Sequence, residues 1–307
     1  MALAKPRPKK HCRLKPAQNL PLIENKGELY RFKGSFNGFC VVIDNVDDMK
    51  KIISMGYFGK ASLSRNYPEF RKKSPEIVRN RVFQNRKRNA EGAKCAPQKV
   101  IVVPDSDSES EDIADYFTNL KPEYQLDCSG IAETVNLGLE EAFFLAAALN
   151  CLDIRHDGKI LGLEEAWGLF QQSDKWFVIN YIVYYHFRTK NWVVKPGIKF
   201  GGDFLLYKQG PPFYHASYVV IIHVVDENLD KIERLSRRSM NNLCLMGLNR
   251  LCETAAKELL ICEIIWPQTQ PNQVHFQDLS NFTIKETIMK RWIFSLKKPQ
   301  ATTSKQT

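Results

Sequence analysis

A mixed α/β (α+β) fold is what this sequence predicts: a small N-terminal α/β module interrupted by a charged insertion, then a C-terminal domain built on a mixed sheet. Three observations predict it. Apolar residues fall at helical spacing between Trp176 and Arg188 and in strand-like runs from 192 onward. Basic and acidic runs are concentrated between residues 71 and 112, splitting the text of the first half. A chain of 307 residues is also long enough for about two domains.

Composition excludes several classes. With 44% hydrophobic and 25% charged residues, the chain is close to an ordinary globular protein, which excludes wholesale disorder. Its apolar runs, Phe143 to Leu149 and Tyr218 to Val225, stop far short of the ~20 residues of a membrane span. No span is therefore expected, and the basic start lacks the apolar centre of a secretory signal. Lys and Arg number 44 against 34 Asp and Glu, a net charge of +10, and clustered cations suit a polyanionic partner. Eight scattered cysteines without C-x-x-C spacing and six separated histidines offer neither a zinc signature nor a disulfide framework. No metal or other cofactor is expected, and the thiols read as reduced, as in an intracellular protein.

Residues 1–19 hold six cations, no acid and several prolines, the pattern of a basic disordered arm. The N-terminal module is expected over 20–70 and 136–176, with strands at Tyr30 to Phe32 and Gly38 to Asp44 and a short helix from Val46 to Met55. Between its halves, 71–135 reads as a charged, mostly disordered insertion. It has ten cations against Glu76 and Glu91 over 71–99, then the acidic run D-S-D-S-E-S-E-D at 105–112. Such a basic stretch suits salt-weakened phosphate contacts, although a tolerated surface insertion explains it equally well. The hexapeptide L-G-L-E-E-A occurs at 137–142 and at 161–166. Two copies are better read as two helix starts, each placing paired glutamates at the positive end of a helix, than as a repeat architecture.

The C-terminal domain is expected over 177–298, with a tail at 299–307. A helix from Trp176 to Arg188 carries Ile179, Ile182, Val183 and Phe187 at helical spacing. Strands are expected from Trp192 to Lys195, Phe204 to Tyr207, Tyr218 to Val225, Glu258 to Ile265 and Phe282 to Ile293. A helix from Leu243 to Lys257 lies between the third and fourth, which makes a mixed α/β module.

Candidate chemistry concentrates between 192 and 218. Tyr207 ends a strand, a K-Q-G-P-P turn follows, and His215 opens the next strand. Lys257, where the following helix meets a strand, can supply fixed positive charge. Metal-free phosphodiester cleavage requires one group to take the 2′-hydroxyl proton, one to protonate the departing 5′-oxygen, and a cation for the crowded phosphate charge. Spacing leaves plainer roles open: a half-buried strand tyrosine (with Tyr214 and Tyr218 as competitors), a rim histidine and a solvated lysine. Asp203 and Glu258 leave a metal-dependent nuclease open as well.

The run K-F-G-G-D-F-L-L-Y-K-Q-G-P-P-F-Y-H-A-S-Y at 199–218 resembles the core motif of the tRNA-splicing endonuclease family. The preceding Y-Y-H-F-R-T-K-N-W-V-V-K-P-G-I (184–198) continues it, and A-A-K-E-L-L (255–260) is similar to the family's lysine motif. Near the front, G-Y-F-G-K-A-S-L-S-R (56–65) resembles the eukaryotic catalytic subunit that cuts the 5′ splice site.

This resemblance implies that Tyr207 is the general base, His215 the general acid and Lys257 the stabiliser of the transition state, in an endonuclease that uses no metal. The products would be a 2′,3′-cyclic phosphate and a 5′-hydroxyl. It implies precursor tRNA as substrate, and as partners a second catalytic subunit and two structural subunits. The place of action would be the nucleus, with the cytosol or the mitochondrial surface as alternatives. Arg188 and Trp192 are candidates for clamping a bulge base at a neighbouring subunit's site, and the strand beginning at Phe282 for pairing with a partner's strand. A non-catalytic scaffold paralogue would keep the fold and lose the trio, and all three residues are present. A free tyrosine titrates near ~10, so a nearby ammonium would have to lower the pKa of Tyr207.

Overall fold

Alternation decides the first sheet. In F-K-G-S-F, residues 32, 34 and 36 are buried while Lys33 and Ser35 are exposed, so the strand β1 (Phe32–Phe36) starts where the expected one was to end. The computed structural model describes residues 6–9, 20–22, 29–62, 98–100, 123–125, 133–267 and 274–290. It divides into two units, Asn19–Leu161 and a second made of Met1–Gln18 with Gly162–Thr307.

In the first unit, β1 pairs antiparallel with β2 (Val41–Ile43) and parallel with β7 (Leu152–His156). With β3 (Lys60–Ala61), β6 (Val135–Leu137) and β8 (Lys159–Ile160), the order is β3-β6-β2-β1-β7-β8. Helix α1 (Val46–Ser54) forms as expected; Asn45 caps it by accepting from the N–H groups of Asp47 and Asp48, and it buries Met49, Ile52 and Ile53. The hairpin β7–β8 was not foreseen, although its turn residues Asp157 and Gly158 both take positive φ, 48° and 81°. Asp-Gly favours that two-residue turn.

Both copies of L-G-L-E-E-A do start helices. Helix α2 (Leu139–Phe143) runs on as a π-helical turn to Ala148, and α3 spans Leu163–Ser173. The second glutamate of each copy reaches back: Glu141 accepts from the Gly138 N–H at 3.2 Å and Glu165 from the Gly162 N–H at 2.9 Å. Glu141 also accepts from the Gly59 N–H at 3.0 Å, which fastens the turn before β3 to α2. Within the expected insertion, β4 (Gln98–Val100) and β5 (Glu123–Gln125) pair antiparallel, so this stretch contains paired strands. The acidic run at 105–112 and most of the basic run and N-terminal arm lie outside the described residues.

In the second unit, α3 packs on α4 (Phe177–Thr189), with Trp167 edge-on to Phe177 and Tyr181 at 4.9 and 5.5 Å. These aromatic contacts tie α3 to the C-terminal residues, so the C-terminal part of the second unit begins at Gly162 and not at the 177 that the sequence predicts. The sheet runs β13-β12-β11-β10-β9. Its strands are β9 (Val193–Pro196), β10 (Phe204–Tyr207), β11 (Tyr218–Val225), β12 (Glu258–Ile265) and β13 (Thr283–Met289). Central β11 is apolar along almost its whole length because both its faces are covered, and its partner β12 runs parallel to it. Helix α5 (Asn242–Thr254) ends three residues earlier than expected, because Ala256 turns left-handed at φ 52° and redirects the chain into β12. Residues 291–293 of the expected last strand lie outside the described residues. No helix among the described residues is long and apolar enough to cross a membrane.

Candidate active site

Strand register places the candidate residues in a row. Leu205 faces Val219 across β10 and β11, and Val219 faces Leu259 across β11 and β12. All three belong to one buried cluster that also takes in Cys252 of α5. One strand period toward the same end of the sheet, on the same face, stand Tyr207, Ser217 and Lys257. Two backbone bonds hold this outer row: Ser217 N–H to Leu206 O at 2.8 Å, and Glu258 N–H to Ser217 O at 3.0 Å. Two inter-strand gaps separate Tyr207 from Lys257, roughly 10 Å between backbones.

Each side chain has an identifiable environment. Tyr207 is half-buried and packs against the cluster together with Phe200. Lys257 lies over the Phe200 ring, Nζ 4.2 Å from its centroid, and Nζ donates to the Ala255 carbonyl at 2.9 Å. His215 is exposed, in the turn two residues before Ser217, hence within about 7 Å of its backbone. That turn is shaped by Gly210, at φ 110°, whose carbonyl accepts from the N–H groups of Phe213 and Tyr214 at 3.2 and 3.1 Å. The structure therefore brings Tyr207, His215 and Lys257 to one end of one sheet.

Burial sets their proton affinities. It pushes the Tyr207 phenol above its ordinary range, and it pulls the Lys257 ammonium below its own against a smaller opposing effect from Cys252. The expected lowering of the tyrosine by the lysine is thus not seen. Desolvation works against the charged form of each.

Arg188 and Trp192 stand apart from this row. Arg188 Nε donates to the Tyr184 hydroxyl at 2.8 Å, and Trp192 meets the Tyr218 ring edge-on at 5.6 Å. Tyr218 faces Leu206, and Tyr184 contacts Phe204, so both residues lie on the α4 face of the sheet, opposite Tyr207. The two carboxylates considered as metal ligands are also engaged separately. Asp203, with only 4% of its side chain exposed, accepts from Arg238 at 2.7 Å, Arg237 at 3.3 Å and the Ile222 N–H at 2.8 Å. Glu258 pairs with Lys290 at 3.0 Å. Asp203 precedes Tyr207 by four strand residues, roughly 13 Å.

Ser217 was missed in the sequence, although strand alternation back from Val219 places it on the Tyr207 face. Its hydroxyl is buried and finds no hydrogen-bond partner among the described residues. Phe200 had no local signal; only the tertiary fold lays it beneath Lys257.

Residues 177–265 match the family profile described as tRNA intron endonuclease, catalytic C-terminal domain. The chain is 38% identical to the tRNA-splicing endonuclease subunit Sen2 of Gallus gallus over 67% of its own length and 46% of that relative's. It is 41% identical to the Rattus norvegicus subunit of the same name over 54% of this chain and 35% of the relative. With the Saccharomyces cerevisiae subunit SEN2 it shares 29% identity over 76% of this chain and 61% of the relative. The chain thus spans about half or less of the length of the two vertebrate relatives.

Proposed function

We propose that this member of the tRNA-splicing endonuclease family is a catalytic subunit that cuts precursor tRNA at the 5′ splice site, leaving a 2′,3′-cyclic phosphate and a 5′-hydroxyl. The observation that carries the reading is the meeting of Tyr207, His215 and Lys257 at one sheet end, inside the matched domain. In this reading Tyr207 takes the proton of the 2′-hydroxyl, whose oxygen attacks the adjacent phosphorus. The bond from phosphorus to the 5′-oxygen breaks, and His215 delivers a proton to that departing oxygen. Lys257 balances the charge on the phosphate oxygens. These three groups supply base, acid and cation, so the route calls on no metal.

Occupation of the site by RNA supports the tyrosine's role physically. A phosphate beside Lys257 favours its charged form, and an ammonium held there in turn favours the phenolate. The reading places the chain in the nucleus, working with a second catalytic subunit and two structural subunits. Exposed β13 at the sheet edge supports a partner of this kind, because its outer side is open to strand addition among the described residues.

The test is cleavage of precursor tRNA by the assembled enzyme with and without chelator, followed by end-group analysis. The expected result is unchanged cutting in chelator, cyclic-phosphate ends, and a loss of roughly 10²–10⁴ in rate for His215→Ala with RNA binding retained. Normal cutting by that variant, or cutting abolished by chelator, refutes the reading.

A further inference from the structure

The turn that carries His215 is paired on its outer side by the start of the chain. Pro8 forms an antiparallel bridge with Tyr214. On either side of it, the Lys9 N–H donates to the Phe213 carbonyl at 2.7 Å and the His215 N–H to the Arg7 carbonyl at 3.1 Å. The sequence P-R-P-K suits this pairing. Proline has no N–H, and the bridge asks for none at Pro8, because the donors come from residues 9 and 215. Pro8 also biases the preceding Arg7 toward extended backbone before it docks.

Strand geometry then fixes where the charges go. Arg7 and Lys9 are two residues apart and project to the same side. In the register set by Pro8 and Tyr214, Arg7 stands opposite His215, at a cross-strand separation of about 5 Å between β-carbons. Arg7, Lys9 and His215 are all exposed, and no carboxylate among the described residues pairs with Arg7 or Lys9. Lys208 lies over the ring of Tyr214, 5.6 Å from its centroid, so a third cation borders the same turn. Cations gathered around an exposed histidine repel one another unless a polyanion occupies the space between them.

We infer that residues 6–9 form a docked edge strand that steadies the His215 turn and presents Arg7 and Lys9 to RNA phosphates flanking the scissile one. The inference rests on the proposed endonuclease reading and adds to it a binding element from the opposite end of the chain. Arg7 and Lys9 are phosphate-binding residues here, and the Arg7 carbonyl is a positioning group for His215.

The test uses the assembled enzyme carrying the full chain in three forms: Arg7→Ala with Lys9→Ala, deletion of residues 1–9, and His215→Ala as reference. Single-turnover cutting is measured against precursor tRNA concentration at several salt concentrations. Hydrogen exchange is followed in the peptide that contains His215. The double variant should raise the half-saturating RNA concentration about tenfold, more than it lowers the rate at saturation, and reduce the salt slope of binding by roughly 1 to 2. The deletion should in addition speed exchange at the His215 amide. An unchanged half-saturation and salt slope in the double variant, with His215→Ala inactive, overturns the inference and leaves the endonuclease reading standing. Unchanged exchange after the deletion overturns the docking, and faster cutting after the deletion shows a plug in place of a binding strand. Normal cutting by His215→Ala instead removes the endonuclease reading itself.

Discussion

Glu286 on the edge strand β13 accepts a hydrogen bond from His186 on α4 at 2.7 Å, and Lys190 reaches the same oxygen at 2.7 Å. The His186 bond is the largest cause holding the Glu286 carboxyl at about 2, below its ordinary 4.5; burial opposes it and Lys190 assists. Because the folded value is depressed, the contact contributes its full stability above about 4.5 and loses it as pH falls toward about 2. Unfolding by denaturant should therefore become easier across that interval. Glu286→Gln should flatten the dependence and cost roughly 1 kcal/mol at neutral pH, the contact being partly solvent-screened. An acid limb of the same steepness in the variant would assign it to other carboxylates.

The same edge strand is predicted to be required for assembly. Removing everything after Leu279 takes away β13, which pairs with β12 from Thr283 opposite Ile265 to Met289 opposite Leu259. Light scattering should then show loss of partner subunits, and cutting should cease although Tyr207, His215 and Lys257 remain. The shortened chain must be checked for a cooperative melt, since β12 loses its cover on that side. A folded, fully active monomer would end the paired reading.

Tyr207→Phe isolates the phenolic oxygen from the ring. The ring packs against the buried cluster, so stability should stay within about 0.5 kcal/mol, as volume-conserving changes usually do. Single-turnover cutting should fall by roughly 10²–10⁴, and the rise of rate with pH toward the alkaline side should disappear. A variant that keeps both rate and pH profile shows that some other group takes the 2′-hydroxyl proton.

Ser217→Ala should not destabilise. Its hydroxyl is buried in the row between Tyr207 and Lys257 and finds no hydrogen-bond partner among the described residues, so its removal forfeits no such bond and relieves a desolvation cost of about 1 kcal/mol. Thermal unfolding of the variant should move upward or stay level. A loss of more than about 1 kcal/mol would mean that the hydroxyl is satisfied in solution.

Residues 204–207, 218–225 and 258–265 could be bounded as strands from the sequence because they are short, mostly apolar runs rich in β-branched and aromatic residues. The two helix starts at L-G-L-E-E-A were legible because paired glutamates suit the positive end of a helix; the bond from each glycine N–H to the second glutamate is what the structure adds. Tyr207, His215 and Lys257 were likewise legible locally as candidates for an acid–base pair and a cation, the separate roles of base and acid being what the family resemblance implies. Their juxtaposition was not. It depends on β11 running parallel to β12 and antiparallel to β10, a pairing that includes Tyr218 with Glu258, far apart in the chain, and that no local pattern encodes. Tertiary structure also decided that Arg188 and Trp192 lie on the opposite face, that desolvation raises rather than lowers the Tyr207 phenol, and that Arg7 comes to rest beside His215. Face, burial and long-range register arise only when strands pair, because a side chain's neighbours across a sheet are set by hydrogen bonds to other segments and not by its own sequence.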